Sequence, residues 1–453
     1  MKKIFKILAL GAGLCLAATA NAANIDLNLY GASAQFTFWS SLGKSFLVAT
    51  YGCDNATTTS HVDNTTGKVH GLTIGRSCDI TGTNLDTIYF RYSSKASYDG
   101  PFAVLASSNS QADLTCGSST SDLRRQRRMA DETSIDNTGK ITNTSKCVPV
   151  HIGASDVAGE SFVQSSSGQL KGPLGGGATT RSFSSINTST LTARQPVVVP
   201  FGFFADNRTK VYKCVGGTHD GNLCTTATAA VDCGGSGTCT QKVIDDISRE
   251  MAVQIFSGQA YFWSDFGRSY SVEGKTAQVN DYVVACFRHA GSGTAATLDW
   301  AVMNNGKWGA FLASAESASA PIVYFNDGSS DMMNCLQNRP GAIGYADADQ
   351  SVSGTVVALK YNGVPGRRNT IRNGNYDFFS NQWLYIDAPW LPAQQETMFN
   401  ALVAYASNPA NLSTTGSLGS KAIYWATRNE MVWNKANDKA YPAYVGATSP
   451  QIP

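Results

Sequence analysis

The stretch YVVACFRHAGSGT, residues 282–294, decides the fold of this chain. Its first half, Tyr282 to Phe287, is an apolar run typical of a buried strand. Its second half is a turn of small residues that begins at Arg288, and the sequence predicts a helix from Ala295 to Met303. A strand, a tight turn and a helix in this order form the repeating unit of α/β proteins.

Two other segments show the same order of strand and small-residue turn. Ile25, Leu27 and Leu29 alternate with polar residues and run into GASAQF, residues 31–36, while Val148–Ile152 runs into GASD, residues 153–156. Alternation of strands with helices predicts an α/β fold with mainly parallel sheets. Further predicted strands are Ile88–Tyr92, Val197–Phe204, Gly341–Tyr345, Val356–Lys360 and Trp383–Ile386, and further predicted helices are Asp331–Gln337, 391–407 and 424–434.

The composition bounds the class of protein. A chain of 453 residues with 42% hydrophobic residues is long enough for two lobes with sizeable cores. Only 15% of the residues are charged and the formal net charge is +2, so the chain lacks the basic surplus of a general nucleic-acid binder.

The first 22 residues read as a signal peptide. Lys2, Lys3 and Lys6 form a positive start, an apolar stretch follows, and Ala20-Asn21-Ala22 is a cleavage site of the A-x-A type. We therefore expect an exported protein that starts at Ala23 and works in the periplasm, outside the cell or on the cell surface.

Cysteine usage agrees with export. Ten cysteines follow the leader, and an even number in an exported chain indicates disulfides in an oxidising compartment. We expect the pairs Cys53–Cys78, Cys116–Cys147 and Cys286–Cys335, and no metal site or cofactor. Four more cysteines lie within 208–242 and leave three possible pairings: Cys214, Cys224, Cys233 and Cys239.

The small-residue turns carry the chemistry that the sequence offers. Ligands of open α/β sheets bind at the carboxyl ends of strands, where helix N-termini present unpaired N–H groups to anions. Arg288 can bind two oxygens at once, Ser292 and Thr294 add hydroxyl donors, and Gly293 allows close approach of the backbone. Each signal is weak alone, since Gly-Ser-Gly-Thr also forms ordinary turns.

Together these strings resemble the periplasmic phosphate-binding proteins of ABC importers. The likeness spans about 31–380, in the order of that family, and includes Gly258 followed by Trp263-Ser264-Asp265 and the string Pro340–Tyr345. It implies a two-lobed type II periplasmic-binding-protein fold, mainly of parallel sheets, with disulfide-stapled insertions. The implied organisation is 23–195 as the first part of lobe I with insertions near 51–82 and 101–147, 196–375 as lobe II with the Cys-rich insert, and 376–453 as the return to lobe I.

The resemblance also implies a dehydrated oxyanion in the cleft between the lobes. Its expected ligands are Gln35, Phe36, Ser97, Asp156, Arg288, Ser292, Gly293 and Thr294. A buried Asp156 would favour phosphate over sulfate, because a carboxylate only accepts hydrogen bonds and phosphate still carries a proton to donate. From the residues alone, a capping role for Asp156 is the alternative.

Three features depart from the family pattern. Gln35 replaces a hydroxyl residue, Ala290 replaces an acid that pairs with the arginine, and the loop 94–100 is bulkier. His289 is expected to be an exposed loop histidine, with tuning of binding by pH as the alternative. The run from Arg124 to Arg128 is expected to be a solvated helix face or loop, with a docking patch for an acidic partner or an anionic surface as the alternative.

The expected function is binding of phosphate, or a similar tetrahedral oxyanion, for ABC-type uptake. The expected protein is a monomer that acts with a permease and catalyses no reaction. The alternative is a cell-surface or interaction protein that reuses the fold without transport. A hydrolase of phosphate esters is a distant third, since the sequence holds no H-E-x-x-H, G-x-S-x-G or complete P-loop motif.

Overall fold

The computed structural model describes residues 22–63, 70–142, 146–168, 179–307 and 310–446. Apart from Ala22, the predicted signal peptide lies outside these residues. Among the helices of the described ranges, none combines the length and the apolar character needed to cross a membrane.

The elements follow one another as short strands and helices. The strands are β1 (Asn24–Gly31), β2 (Thr59–Val62), β3 (His70–Cys78), β4 (Asp86–Ser94), β5 (Gln126–Met129), β6 (Lys146–Pro149), β7 (Ile152–Ser155), β8 (Ser165–Gly168), β9 (Thr179–Ser182), β10 (Thr192–Arg194), β11 (Val197–Asp206), β12 (Thr209–Val215), β13 (Thr238–Val243), β14 (Asp246–Ile247), β15 (Tyr270–Val272), β16 (Val284–Arg288), β17 (Ile322–Asn326), β18 (Ala342–Asp347), β19 (Val356–Tyr361), β20 (Phe379–Asn381), β21 (Trp383–Ile386), β22 (Ala426–Thr427), β23 (Trp433–Asn434) and β24 (Ala443–Tyr444). The α-helices are α1 (Phe36–Tyr51), α2 (Asp99–Val104), α3 (Ser121–Arg125), α4 (Ala229–Cys233), α5 (Arg249–Phe256), α6 (Gly293–Thr297), α7 (Ser329–Asn338), α8 (Arg368–Arg372) and α9 (Ala393–Ala406).

The first large sheet has the order β10-β21-β7-β1-β4-β3-β2. Its central strand, β1, is parallel to β4 and β7, and the outer pairs are antiparallel. Helix α1 packs on this sheet because its apolar residues recur at helical spacing, which buries Trp39, Leu42 and Phe46 completely. The helix ends at Gly52, whose φ of 60° is the left-handed conformation that a glycine C-cap provides.

The second large sheet has the order β14-β19-β11-β18-β16-β17, with β20 and β22 also paired to β11. Strand β16 is parallel to β17 and β18, whereas β11 is antiparallel to β18 and β19. The chain passes from the first sheet to the second between Arg194 and Val197 and returns between Asn381 and Trp383, and it pairs with the second sheet once more at β22. The predicted α/β class is confirmed, but the sheets are mixed: β1 and β16 pair in parallel with both neighbours, whereas the outer pairs of the first sheet and the pairs of β11 in the second are antiparallel.

All ten cysteines after the leader form disulfides. The expected pairs Cys53–Cys78, Cys116–Cys147 and Cys286–Cys335 are confirmed. In the insert, whose pairing the sequence left open, Cys214 pairs with Cys233 and Cys224 with Cys239 around the hairpin of β12 and β13. Five disulfides indicate an oxidising compartment.

Three local predictions are wrong. The predicted helix at 424–434 is instead β22, a single 3-10 turn and β23. The predicted strand at Val148–Ile152 is divided between β6 and β7. The predicted helix from Ala295 begins two residues earlier, and after α6 it continues as a π-helical turn over Leu298–Val302.

Candidate functional site

Turns from both large sheets meet at one place. The first sheet contributes the ends of β1, β4 and β7, and the second contributes the end of β16 and the start of α6. The contact is tightest at Gly293. A Cβ atom added there would lie 2.5 Å from Ser97 Oγ and 2.7 Å from Asp156 Cβ, so glycine is the residue that this approach requires.

Asp156 lies at the centre of these turns and is 1% exposed. Its Oδ1 accepts a hydrogen bond from Gln35 Nε2 at 3.0 Å, and its Oδ2 accepts one from Ser97 Oγ at 2.9 Å. Burial raises the pKa of Asp156 to about 6, although the two hydrogen bonds and the charge of Arg288 lower it. The carboxyl group is therefore mainly ionised at neutral pH and gains a proton in mild acid.

Gln35 is held in one orientation by two donors. Its Oε1 accepts from the indole Nε1 of Trp39 at 3.2 Å and from Gln382 Nε2 at 2.6 Å. Because an indole N–H can only donate, the oxygen of Gln35 must face Trp39 and its NH₂ group must face Asp156.

Arg288 joins the two sheets and is 1% exposed. Its Nη2 donates to Ser33 Oγ at 3.1 Å and to the carbonyl of Asp327 at 2.9 Å, and its Nη1 donates to Ser329 Oγ at 3.3 Å. Its Nε is buried without a hydrogen-bond partner among the described residues. A buried donor left unpaired costs about 1–3 kcal/mol, so this atom indicates a place for an acceptor.

The turn from Ser292 to Thr294 is buried as well. Ser292 precedes α6 but its side chain makes no capping hydrogen bond. The hydroxyl of Thr294 is a second buried group without a partner among the described residues. Two unpaired donors beside a buried carboxyl group can bind an oxyanion that is itself protonated.

The structure brings together seven of the eight expected ligands, but the expected backbone donor Phe36 is used elsewhere. Its N–H donates to the carbonyl of Ser33 and closes a 3-10 turn. Its ring packs in the core, with its centroid 6.1 Å from that of Tyr92.

The prediction of an exposed His289 is wrong, because the ring is fully buried. Its Nδ1 accepts from the N–H of Gly291 at 3.1 Å, which leaves the proton on Nε2, 3.3 Å from Asp327 Oδ1. Burial lowers the pKa of His289, so the ring is neutral at physiological pH.

Sequence reasoning missed three contributors to the site. Ser33 lies inside the GASAQF string, and Ser329 follows β17 at the start of α7, so both carried the strand–turn–helix signal. Gln382 carried no local signal, because its partner Gln35 is 347 residues away in the chain.

Comparison with known proteins gives weak likenesses. No protein-family model and no curated protein matches the chain. A solved phosphate ABC transporter substrate-binding protein of Clostridium perfringens, with bound phosphate, is 12% identical, with a TM-score of 0.43 over 88% of this chain and 98% of its own. A phosphate-binding protein of Stenotrophomonas maltophilia is 12% identical, with a TM-score of 0.38 over 80% of this chain and 78% of its own. An ABC-type phosphate transport receptor of Vibrio cholerae is 15% identical, with a TM-score of 0.30 over 48% and 68%. At TM-scores below 0.5, these likenesses carry no argument about function.

Proposed function

We propose that the chain is an exported solute-binding protein that holds phosphate, or a similar tetrahedral oxyanion, between its two sheets for ABC-type uptake. One observation carries the proposal: the buried donors Arg288 Nε and Thr294 Oγ1 lack partners among the described residues, in the same cluster as the buried carboxyl group of Asp156. A protonated oxyanion satisfies both donors and donates its own proton to the carboxylate.

Asp156 would make the site selective. Sulfate has no proton to donate at neutral pH, so its oxygens would face the lone pairs of an ionised carboxylate inside a buried site. Phosphate avoids this repulsion because its remaining proton forms a hydrogen bond with Asp156.

The lobe boundaries belong to the same proposal. We assign 23–195 and 376–453 to the lobe of the first sheet, and 196–375 to the lobe of the second, with β20 and β22 of the return segment pairing across onto β11. Arg288 in the second lobe and Ser33 in the first would then face the anion from opposite sides, and closure over the anion would be the state that a permease recognises. This role requires no catalytic step.

The test is calorimetric titration of the oxidised, ligand-stripped chain with phosphate, sulfate, arsenate and molybdate. We expect a phosphate Kd on the order of 1 μM, or roughly 8 kcal/mol, and no heat with sulfate. Absence of heat with all four anions would refute the proposal.

Two substitutions locate the site. Arg288→Ala should abolish phosphate binding, whereas Arg76→Ala, which removes a half-exposed partner of Glu132, should not change the Kd. Asp156→Asn should weaken the preference for phosphate and admit sulfate. Equal phosphate affinity in Arg288→Ala and the parent protein would place the anion elsewhere.

The second candidate, an interaction protein without transport, is favoured by the internal pairing of the site. Gln35 and Ser97 already donate to Asp156, and Ser33 and Ser329 already accept from Arg288. If no anion binds, these hydrogen bonds would hold the two sheets together permanently. The Cys-rich insert would then be the surface to test for partners.

A further inference from the structure

A cavity of about 360 Å³ lies beside the oxyanion site, and Arg288 belongs to its wall. Its volume falls within the range of about 300–1,000 Å³ that is usual for small-molecule pockets. Ala290 and Ala295, which flank the Ser292–Thr294 turn on either side, also line it. The cavity therefore lies next to the Ser292–Thr294 turn, which the proposed anion contacts.

Three aromatic rings contribute to the wall. Phe287 and Phe325 are neighbours on the parallel strands β16 and β17, with ring centroids 5.3 Å apart and ring planes inclined by 52°, and both are buried. Phe311 also lines the cavity and is 71% exposed, so the cavity reaches the solvent beside this ring. Such walls suit an aliphatic group, and their π faces attract a cation.

One carboxyl group interrupts the apolar wall. Asp299, on the π-helical turn after α6, lines the cavity and is 3% exposed. It makes a hydrogen bond with the side chain of Gln164 and has no ion pair among the described residues. Burial raises the pKa of Asp299 to about 6. A cation beside it would offset the cost of burying its charge.

We propose that this cavity takes the organic part of the ligand, and that the ligand is a small phosphonic or phosphoric acid with a short aliphatic amine. This rests on the proposed function, because the acid group would occupy the oxyanion site at Arg288. The chain of the ligand would lie in the cavity against the rings of Phe287 and Phe325, and its ammonium group would pair with Asp299. An unsubstituted apolar tail would leave the buried carboxylate without a counter-charge, so the amine is the part that the cavity selects.

The experiment compares inorganic phosphate, propylphosphonate and 3-aminopropylphosphonate by calorimetric titration of the oxidised chain. We expect 3-aminopropylphosphonate to bind at least ten-fold more tightly than propylphosphonate. Asp299→Asn should remove this preference and leave the Kd for inorganic phosphate unchanged, while the exposed control Asp122→Asn should change neither. Ala313→Phe, which fills the cavity from its wall, should weaken both phosphonates and spare phosphate.

Each outcome separates the two proposals. If phosphate binds but the amine gives no advantage, the cavity does not select an ammonium group and this inference is overturned while the proposed function stands. If 3-aminopropylphosphonate keeps its advantage in Asp299→Asn and Ala313→Phe, the ligand's tail lies elsewhere. If neither phosphate nor either phosphonate binds, both proposals fail.

Discussion

At the scale of single residues, burial and hydrogen bonding shift the pKa of Asp156 in opposite directions. Gln35 and Ser97 each donate to the carboxylate, which stabilises the charged form, but exclusion from water raises the pKa to about 6 all the same. The usual value for aspartate is 3.8. A difference of about two units corresponds to about 3 kcal/mol between the two protonation states.

This balance predicts how Asp156 affects stability. Between pH 4 and pH 6 the folded chain holds the proton of Asp156 more tightly than the unfolded chain does, so its contribution to the free energy of unfolding falls as the pH rises through this window. Asp156→Asn cannot ionise. The free energy of unfolding of the variant, relative to the parent, should therefore rise by about 2 kcal/mol from pH 4.5 to pH 7.5, measured by urea denaturation.

The comparison between two pH values isolates the ionisation. Hydrogen bonds lost in Asp156→Asn change the difference in unfolding free energy between the two proteins by the same amount at every pH. Other groups such as Asp299 titrate alike in both proteins. Ser119→Ala, at an exposed position without an ionisable group, should show a flat difference. Parallel pH profiles for Asp156→Asn and the parent would mean that Asp156 has an ordinary pKa.

At the scale of elements, the arginine run divides between α3 and β5. Strand alternation points Arg127 inward and Arg128 outward. The expectation of a solvated face is therefore wrong for Arg127, which is fully buried, and it is also wrong for Arg125, which is buried and pairs with Asp387 at 2.6 Å. Arg127 pairs with Asp99 at 3.1 Å, and both side chains are 0% exposed. Asp99 in turn accepts from the N–H of Asp113 at 3.0 Å, which ties the segment after α2 back to the start of that helix.

This buried pair predicts that substitutions of Arg127 and Arg128 have unequal effects on the free energy of unfolding. Arg127→Met would leave Asp99 buried without its counter-charge and should cost about 3–5 kcal/mol of unfolding free energy in urea denaturation. Arg128→Met, at an exposed site, should stay within about 0.5 kcal/mol. Adding Asp99→Asn to Arg127→Met should recover part of the loss, and equal effects of the two arginine substitutions would contradict the buried pair.

At the scale of the whole molecule, the features that could be predicted from the sequence are those that depend on residues close together in the chain. The strand–turn–helix units at Gly31 and Gly293 carry their own pattern, so the fold class and most of the candidate site were accessible. The burial of Arg127 depends on Asp99, 28 residues away, and that of His289 depends on how two sheets meet. Neither burial could be predicted without the distant partner, and both residues were predicted to be exposed.

The two sheets approach each other closely at the candidate site. Arg288 reaches Ser33 from the second sheet, and the start of α6 lies against Ser97 and Asp156 of the first. An anion held by both sides would stabilise this arrangement over any more open one, because a ligand shifts an equilibrium only by its difference in affinity for the two states. Phosphate should therefore reduce the radius of gyration measured by small-angle X-ray scattering.

Gly293→Ala tests whether closure and binding are one event. The added Cβ would clash with Ser97 and Asp156 of the opposite sheet, while the α6 backbone itself accepts alanine at low cost, so the block falls on closure rather than on folding. We expect phosphate affinity to fall at least ten-fold and the compaction on phosphate addition to disappear. The control is Gly202→Ala, where a Cβ would meet its nearest neighbour at 3.5 Å, an ordinary contact. If Gly293→Ala binds and compacts like the parent, the anion does not lie between the sheets.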